Sequence, residues 1–438
     1  MLTQVWFIIS AFVYVKCGDF YPTSTTLNKI NSNTYYLNLK VNHSTSFQLI
    51  LKLTEKLPKE IITEDFNLLI YKNNSYQAGY NLELLEGYDL SNPLALANGY
   101  FNAGNFYGKL RVDFKSYLIE KREYYSEYNI DDDSLNAIVF TEMHPNEQNT
   151  NKPKVKRGSA IYENKEKQFF RQFIGAGRIC SLALVLDYSY LCLIHKGDLN
   201  SAVNRVKDAI LFANNIFRST DFDDDGIPDN IGFKIRQIIA IQSKKTFNLL
   251  PEYKKEHVQN ENFITAFSHY QFIGEVCLGI LFTSQTFVGN VLGVSYTSSP
   301  NAKQFELVEG GICEKMFYYG KKRTRGSNAL LITAPGGQTN VTLDLALTHE
   351  IGHSFGAMHD FGECSGHIMN PTTQDGSMDT HYMFSRCSKD RMFSTIISKG
   401  FCLTPEKEPF CGNGKRKGEG TVYKMDMSEI VAMIVDAF

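Results

Sequence analysis

The stretch with the clearest potential for chemistry is 343–360, which reads LDLALTHEIGHSFGAMHD. His349 and His353 are four residues apart, so on a helix both imidazoles project from one face, about one turn apart. That geometry lets two nitrogens bind one zinc ion at about 2.0–2.1 Å. Glu350 follows His349 directly, which places its carboxylate beside the metal, where a general base for water must stand.

Two further residues complete this constellation. Gly356 can end the helix in a left-handed turn and redirect the chain, so that His359 becomes the third ligand. Three neutral imidazoles leave one coordination position for water, which is typical of a catalytic zinc site. HExxH alone is a weak signal, but a glycine and a third histidine at these spacings rarely occur by chance. The alternative is a helix whose histidines are ordinary core residues.

A methionine follows this motif at a specific distance. Met369 lies ten residues beyond His359, in HIMNP. An isolated methionine usually fills space in a core. Extended zinc-protease motifs, however, carry a methionine-bearing turn under the metal, and Met369 occupies the position of that turn.

The surrounding sequence predicts the elements that position these residues. Leu343, Leu347 and Ile351 give the metal-site helix an apolar face, and Thr342 or Asp344 could serve near its start. Upstream, ICSLALVL (179–186) and GFKIRQIIAIQ (232–242) are typical of strands. Between them, a helix at about 200–218 has an apolar stripe of Val203, Val206, Ile210, Ala213 and Phe217. The order β-α-β favours an α/β layer.

The first half of the chain has a different character. Residues 18–157 contain no cysteine and alternate apolar with polar residues, as in FQLILKL, FNLLIYK and KLRVDF, which predicts a separate β-rich domain. This half ends in the polar segment NEQNTNKPKVKRGSA. Its basic residues, Lys154, Lys156 and Arg157, predict cleavage after Arg157 by a secretory-pathway convertase. The alternative is a solvated basic linker.

The N-terminus indicates export. Residues 5–15 form an apolar run of signal-peptide length, so 1–17 is predicted to be a signal peptide cleaved after Cys17; the alternative is a buried strand. No later stretch reaches the ~18 uninterrupted apolar residues that a membrane span needs. The net charge of −2 gives no sign of a nucleic-acid or membrane-surface binder. We therefore expect a soluble, secreted protein, with glycosylation sequons at Asn42, Asn73 and Asn340.

Cysteine usage agrees with export. Eight cysteines remain after Cys17, and all of them follow residue 179. An even set in an exported chain predicts disulfides, although spacing alone does not give the pairing. The eight are Cys180, Cys192, Cys277, Cys313, Cys364, Cys387, Cys402 and Cys411.

Several segments of the sequence resemble those of a known family. HEIGHSFGAMHD followed by HIMNP is similar to the metzincin proteases, and Asp360 after the third histidine is similar to their adamalysin branch. GGICEK (310–315), MFSRCSK (383–389) and CGNGKRKGEG (411–420) resemble the ADAM sheddases, the group that contains kuzbanian and the tumour-necrosis-factor convertase.

The resemblance implies a fold and a domain order. A β-rich prodomain (18–157) would precede an α/β metzincin catalytic domain (158–405), with a twisted five-stranded mixed sheet, an active-site helix and a Met-turn at Met369. Residues 406–438 would be the remnant of a disintegrin start and a tail. The implied disulfides are Cys180–Cys277, Cys313–Cys402 and Cys364–Cys387, while Cys192 and Cys411 pair with each other or stay free.

The resemblance also implies where substrate binds. The run VLGVSYTS (291–298) matches the edge strand above the zinc, where Leu292, Gly293 and Val294 would offer backbone groups to a peptide that adds as an extra strand. The partners are then protein or peptide substrates. Zinc-bound water, with Glu350 as general base, would attack the scissile carbonyl.

Two departures from the family pattern affect regulation. Prodomains of this family usually carry a cysteine that caps the zinc, and residues 18–157 contain none, so latency would have to come from occlusion of the groove by the chain's own prodomain. The chain also ends at Phe438 without a disintegrin domain or membrane anchor. The expectation is a soluble, shortened form or an incomplete gene model.

One further cluster could bind a second metal. DFDDDGIPD (221–229) places Asp221, Asp223, Asp225 and Asp229 around a glycine, as in a calcium loop. Position twelve of such a loop is Gly232 rather than a bidentate Glu, so a plain acidic turn is the alternative.

The sequence thus predicts a secreted zinc endopeptidase that acts on extracellular proteins or cell-surface ectodomains. The competing class is an exported binding protein whose groove captures a partner without cutting it. The complete motif favours the enzyme, because a binding protein has no need for Glu350.

Overall fold

Two large β-sheets organise the protein in a computed structural model, and the described residues also contain a two-stranded sheet of Tyr318–Tyr319 and Lys322–Arg323. The structure describes residues 20–42, 44–79, 81–112, 115–124, 134–143, 165–244, 254, 257–298, 310–314, 318–319, 322–323, 326–335, 340–372, 374 and 376–407. The predicted signal peptide, the processing site at Arg157 and Cys411 lie outside these ranges.

The first half of the chain forms strands almost throughout. Its strands are β1 (Phe20–Thr23), β2 (Asn28–Lys29), β3 (Thr34–Lys40), β4 (Ser46–Thr54), β5 (Ile62–Lys72), β6 (Ser75–Ala78), β7 (Leu84–Asp89), β8 (Leu96–Asn102), β9 (Asn105–Val112), β10 (Lys115–Lys121) and β11 (Ala137–Met143). Nine of them make one antiparallel sheet in the order β1-β11-β10-β9-β8-β7-β4-β3-β2. The alternating apolar residues of these strands, such as Leu49 and Leu51, are buried on one face.

The second half mixes helices and strands. Its helices are α1 (Lys165–Ile174), α2 (Leu199–Ser219), α3 (Asn260–Phe267), α4 (Asn340–Ser354) and α5 (Arg386–Lys399). Its strands are β12 (Arg178–Leu186), β13 (Ile231–Ile241), β14 (Leu278–Thr283), β15 (Gly293–Ser295), β16 (Tyr318–Tyr319), β17 (Lys322–Arg323), β18 (Ala329–Thr333) and β19 (Thr404–Pro405). Single helical turns lie at Arg122–Tyr124, Ser189–Ile194, Gln271–Glu275, Val288–Asn290, Gly362–Cys364, Asp379–Tyr382 and Gly400–Cys402.

The second sheet contains strands from both halves. Its order is β15-β18-β14-β12-β13-β5-β6, with β19 on β12, and it has eight strands rather than five. Residues 178–333 supply five of the strands, and β15 runs antiparallel to β18 at one edge. At the other edge β5 pairs in parallel with β13, and β6 pairs with β5. The prediction of a separate β-rich domain therefore needs a correction, because the hairpin of β5 and β6 belongs to the second sheet.

The β12-α2-β13 unit agrees closely with its sequence pattern. β12 and β13 are parallel neighbours, and α2 connects them. Asp198 caps the start of α2 by accepting a hydrogen bond from the Ser201 N–H at 3.1 Å. All five residues of the predicted stripe are fully buried. The 3.6-residue period was a reliable signal here because one face of α2 packs on the sheet.

Three disulfides stabilise the second half. They are Cys180–Cys277, Cys313–Cys402 and Cys364–Cys387, the pairs that the family resemblance implies. The last one joins the chain that follows α4 to the first turn of α5. Among the described cysteines, Cys192 has no disulfide partner and is partly exposed.

The boundary expected after residue 405 lies too early. The Glu406 side chain is buried and accepts from Arg218 at 2.8 Å and pairs with Lys234 at 3.4 Å. The Glu406 N–H also donates to the Gly177 carbonyl at 3.0 Å. The second, α/β half of the protein therefore extends at least to Glu406. Among the described helices, none is long and apolar enough to span a membrane.

Candidate active site

Helix α4 carries two of the three histidines and Glu350. It begins at Asn340, earlier than the sequence pattern predicted, and its apolar residues Leu343, Leu347 and Ile351 are buried. Asp344 consequently lies inside the helix rather than at its cap. Its carboxylate pairs with Arg205 of α2 at 2.7 Å, and both side chains are largely buried. Helix α4 is thereby fixed to α2.

The three predicted histidines come together. One nitrogen of each of His349, His353 and His359 lies within 4.8 Å of the others. The Nε2 atoms of His353 and His359 are 3.2 Å apart. Two nitrogens bound tetrahedrally to one zinc at about 2.0–2.1 Å would be roughly 3.3–3.4 Å apart. The cluster therefore fits a tetrahedral ion.

Backbone carbonyls orient the imidazoles on α4. The His349 Nδ1–H donates to the Ile368 carbonyl at 2.7 Å, and the His353 Nδ1–H donates to the Ala357 carbonyl at 2.8 Å. These bonds leave each Nε2 lone pair for a metal. His349 Nε2 is buried and has no hydrogen-bond partner among the described residues, a situation that is costly unless a cation occupies the cluster.

Burial also keeps these imidazoles in the metal-binding form. Desolvation, with a smaller contribution from the charge of His359, lowers the pKa of His349 to about 4. Burial lowers the pKa values of His353 and His359 as well. Because only the neutral imidazole binds a metal ion, the cluster is prepared for binding at neutral pH.

Gly356 makes the turn that returns His359 to the helix. Its φ is +96°, a left-handed conformation that favours glycine, and a Cβ there would collide with Thr395 Oγ1 of α5. The Asp360 carboxylate then accepts from Ser385 Oγ at 2.7 Å and Ser388 Oγ at 2.9 Å, at the start of α5. His359 thus lies between the turn at Gly356 and the buried, hydrogen-bonded carboxylate of Asp360.

Met369 lies directly against the metal helix. It is fully buried, and its carbonyl accepts from the Asp360 N–H at 2.8 Å. A Cβ on Gly352 would lie 2.5 Å from Met369 Sδ, so only glycine allows this approach. Sequence reasoning missed Gly352. Its signal was a glycine inside a helix, which costs about 1 kcal/mol and usually indicates close packing.

Glu350 lies where α4 meets the edge strand β15. Its side chain is buried, and a Cβ on Gly293 would lie 2.5 Å from Glu350 Cγ and 2.8 Å from Oε1. Burial raises the pKa of Glu350 to about 8. Of the three residues predicted to contact substrate, Gly293 and Val294 form the first part of β15 and Leu292 precedes it. Gly293 thus places the strand against the carboxyl group.

A cavity opens beside His349 and Glu350. Its walls include two of the residues predicted for substrate binding, Leu292 and Gly293. The other lining residues, which the sequence analysis did not assign to substrate, are Leu345, Ala346, Ile368, Asn370, Pro371, Gln374 and His381. No short spacing could identify them, because they come from α4 and from loops that follow it.

Comparison with known proteins agrees with this site. Residues 176–392 match metallo-peptidase family M12, a stretch that contains the three histidines, Glu350 and Met369. Residues 176–392 therefore form an M12 metallopeptidase domain, and it is similar to the metalloproteinase domains of the relatives that follow. The chain is 26% identical over 263 residues to disintegrin and metalloproteinase domain-containing protein 10 of Bos taurus, covering 56% of this chain and 34% of that protein.

Other relatives give the same result. Over 268 residues the chain is 27% identical to the disintegrin and metalloproteinase domain-containing protein 17 homolog of Caenorhabditis elegans, covering 54% of this chain and 38% of the relative. It is 28% identical over 258 residues to disintegrin and metalloproteinase domain-containing protein 10 of Xenopus laevis, covering 54% of this chain and 32% of the relative. The chain therefore spans about a third of the length of these relatives.

In the acidic loop 221–229, other groups of the protein already contact the aspartate carboxylates. Carboxylate oxygens of Asp221, Asp223 and Asp225 lie within 4.8 Å of one another. Arg171 Nε of α1, however, is 3.0 Å from Asp223 Oδ2 and 3.3 Å from Asp225 Oδ2. The N–H groups of Asp225 and Gly226 donate to the Asp221 carboxylate at 3.1 and 2.7 Å. These contacts favour the acidic turn over the calcium loop.

Asp229 gives this loop a pH-dependent stability. Its carboxylate is buried and accepts from the Phe222 N–H at 2.6 Å, and burial, with smaller contributions from the nearby aspartates, raises its pKa to about 8. Because the folded pKa exceeds the unfolded value of about 3.9, the stability contributed by the protonated form is lost as the pH rises through about 8.

The substitution Asp229→Asn keeps the acceptor and removes this titration. We expect it to raise the free energy of unfolding by at least about 2 kcal/mol at pH 9 and to change it little at pH 4, as measured by urea unfolding. Asp224→Asn, on an exposed neighbour, serves as the control. An equal effect of Asp229→Asn at both pH values would contradict the assignment.

Proposed function

We propose that the chain is a secreted, zinc-dependent endopeptidase that cleaves extracellular proteins or the ectodomains of cell-surface proteins. The observation that carries the proposal is the convergence of His349, His353 and His359, with Glu350 buried beside them. When bound, a zinc ion lowers the pKa of a coordinated water to about 7 and polarises the scissile carbonyl.

Glu350 would move the proton. Its carboxylate, which lines the same cavity as His349, would take a proton from the attacking water and give it to the departing amine. Burial alone favours the protonated carboxyl group, whereas the charge of a bound zinc ion would lower the pKa of Glu350 and favour the ionised carboxylate that a general base needs. The His349 and His353 bonds to backbone carbonyls hold the imidazoles still while the reaction proceeds.

The edge strand β15 would bind the substrate backbone. Among the described strands it pairs only with β18, so its other side is an edge of the sheet, and Leu292 and Gly293 line the cavity. A peptide that adds to Leu292, Gly293 and Val294 would carry its scissile bond past Glu350. The neighbouring cavity would then accept one substrate side chain. Its Leu345 and Ile368 suit an apolar side chain, and its Gln374 and Asn370 offer hydrogen bonds.

The test of this proposal is a metal-replacement experiment on the purified chain. A mixed peptide library is digested by the chain as isolated, after chelator treatment and after zinc is restored, and cleavage is read by mass spectrometry. We expect cleavage to fall at least about 100-fold with chelator and to return with one equivalent of zinc. A folded chain that binds zinc but cuts no peptide would overturn the enzyme proposal in favour of a binding protein.

A second test examines the contact between β15 and Glu350. Gly293→Ala adds a methyl group where Glu350 Cγ and Oε1 now lie, so the base must move. Because a displacement of about 1 Å can cost about 100-fold in rate, we expect kcat/KM to fall by about that factor. Val294→Ala adds no atom near Glu350 and is the matched control. Equal losses in the two variants would show that the strand, rather than the base, was disturbed.

A further inference from the structure

The first half of the chain attaches to the second sheet at the edge remote from the zinc cluster. We propose that residues 20–143 are a permanently bound structural part of the metallopeptidase, rather than a removable cap on its cleft. They would stay attached after the chain is cut between the halves. The claim that the halves stay bound is independent of the proposed endopeptidase activity. The claim that residues 20–143 do not cap the cleft rests only on the metal site of that proposal.

The main contact is a parallel strand pairing, which is interrupted between Ile62 and Asn67 where the register shifts. β5 runs parallel to β13 from Ile62 beside Ile235 to Tyr71 beside Ile241. Hydrogen bonds continue past both ends: the Ile235 N–H donates to the Ile61 carbonyl at 2.8 Å, and the Gln242 N–H donates to the Tyr71 carbonyl at 3.0 Å. Loss of β5 would turn an apolar 11-residue strand into an open sheet edge, a form that natural proteins avoid.

A buried ionic contact lies at the start of α2. The Asp198 carboxylate, which caps this helix through Oδ1, receives Lys121 Nζ at 2.8 Å and Asn102 Nδ2 at 2.7 Å on Oδ2. The side chains of Lys121 and Asp198 are only 7% and 10% exposed. Separation of the halves would part the Lys121 ammonium group from the Asp198 carboxylate, and breaking buried pairs of this kind is strongly destabilising.

Weaker polar contacts lie around the β5–β13 pairing and the Lys121–Asp198 ion pair. Arg236 of β13 pairs with Asp65 at 2.8 Å, and Gln237 Nε2 donates to Asn67 Oδ1 at 2.8 Å. The Glu83 N–H donates to Asn200 Oδ1 at 3.0 Å. The interface thus has a buried centre and a polar rim, which is the anatomy of stable protein interfaces.

The attachment site and the cleft lie at opposite edges of the sheet. β18, β14, β12 and β13 separate β15 from β5, which corresponds to roughly 24 Å at about 4.8 Å per strand. All residues that line the cavity lie between 292 and 381. No described residue of 20–143 is among them.

The test cuts the intact protein and follows both halves. Residues 150–156 of the full chain are replaced by the recognition sequence of a site-specific viral protease, and the cut protein is analysed by size-exclusion chromatography at about 1 µM. The cleft is probed with a fluorescent peptide hydroxamate in the presence of zinc, before and after cutting. We expect the fragments to elute together and the hydroxamate affinity to change less than about twofold.

Each other outcome overturns the proposal. Separation of the fragments would show that the contact is temporary. A tenfold or larger gain in hydroxamate affinity after cutting, or binding in neither state, would show that the cleft is not open in the joined form. Hydroxamate binding without peptide turnover would leave this inference standing and would count against the proposed endopeptidase alone.

Two variants of the cut protein locate the binding energy. Lys121→Met leaves the Asp198 carboxylate buried without its cation and should weaken association of the fragments at least about tenfold. Arg236→Gln removes a pair whose side chains are 34% and 59% exposed and should weaken it no more than about threefold. Both are measured by dilution of the cut complex. Similar small effects of both variants would overturn the assignment of the buried contact.

Discussion

Glu350→Gln is expected to lower kcat for peptide cleavage by about 1,000-fold or more while zinc content stays unchanged. Glutamine has nearly the same shape, so the packing against Gly293 is kept. It cannot take a proton from water, and positioned general bases commonly contribute about 10²–10⁴-fold. The three histidines are untouched, so the metal site should remain intact. Steady-state kinetics and metal analysis of the same preparation check both parts.

A nearby glutamate provides the control for this result. Glu363 is exposed in the turn Gly362–Cys364, and Glu363→Gln should leave kcat within about twofold of the parent. A Glu350→Gln protein that keeps its zinc and retains more than a tenth of parent activity would rule out Glu350 as the base. Loss of zinc together with activity would show that Glu350 supports the metal site instead.

Gly356→Ala is expected to cost about 2–4 kcal/mol of unfolding free energy and to weaken zinc binding at least about tenfold. Part of this cost, about 1 kcal/mol, comes from the left-handed backbone, where φ is +96°. The remainder comes from a collision with Thr395 Oγ1, because inserting a methyl into a packed site costs about 1–3 kcal/mol. Relief of that collision would move α5 away from the turn that carries His359.

Gly362→Ala separates these two causes. Gly362 has φ of +60°, but a Cβ there would meet no atom within 4 Å. It should therefore show the backbone cost of about 1 kcal/mol without a change in zinc affinity. Urea unfolding and competition with a chromogenic chelator measure the two quantities. Equal stability losses in both variants would show that Thr395 does not restrict the turn.

Local patterns predicted much of the histidine cluster. The residues of the HExxH segment are close in sequence, and a helix fixes their relation, so His349, Glu350 and His353 needed no tertiary information. The turn at Gly356 was predictable for the same reason, since left-handed conformations favour glycine. The apolar stripe of α2 was predictable because burial against one surface imposes a helical period.

Long-range partners could not be predicted in this way. FNLLIYK was identified as a strand, but nothing in its alternation shows that it pairs with β13 rather than with its neighbours in the chain. Asp344 is a typical N-terminal helix residue, and only the fold reveals that it pairs with Arg205. Gln374 and His381 belong to the cavity because loops bring them to α4. Such features depend on packing between distant segments.

The pairing of β5 with β13 also has a consequence for the order of folding. Gln237 and Asn67, which meet across these strands, are 170 residues apart in the chain. During synthesis the first half emerges well before β13, so β5 exists for some time with one side unpaired. An open apolar strand in a nascent chain invites intermolecular pairing. Slow, non-local closure of this sheet should therefore limit the folding rate and make dilute conditions favourable for refolding.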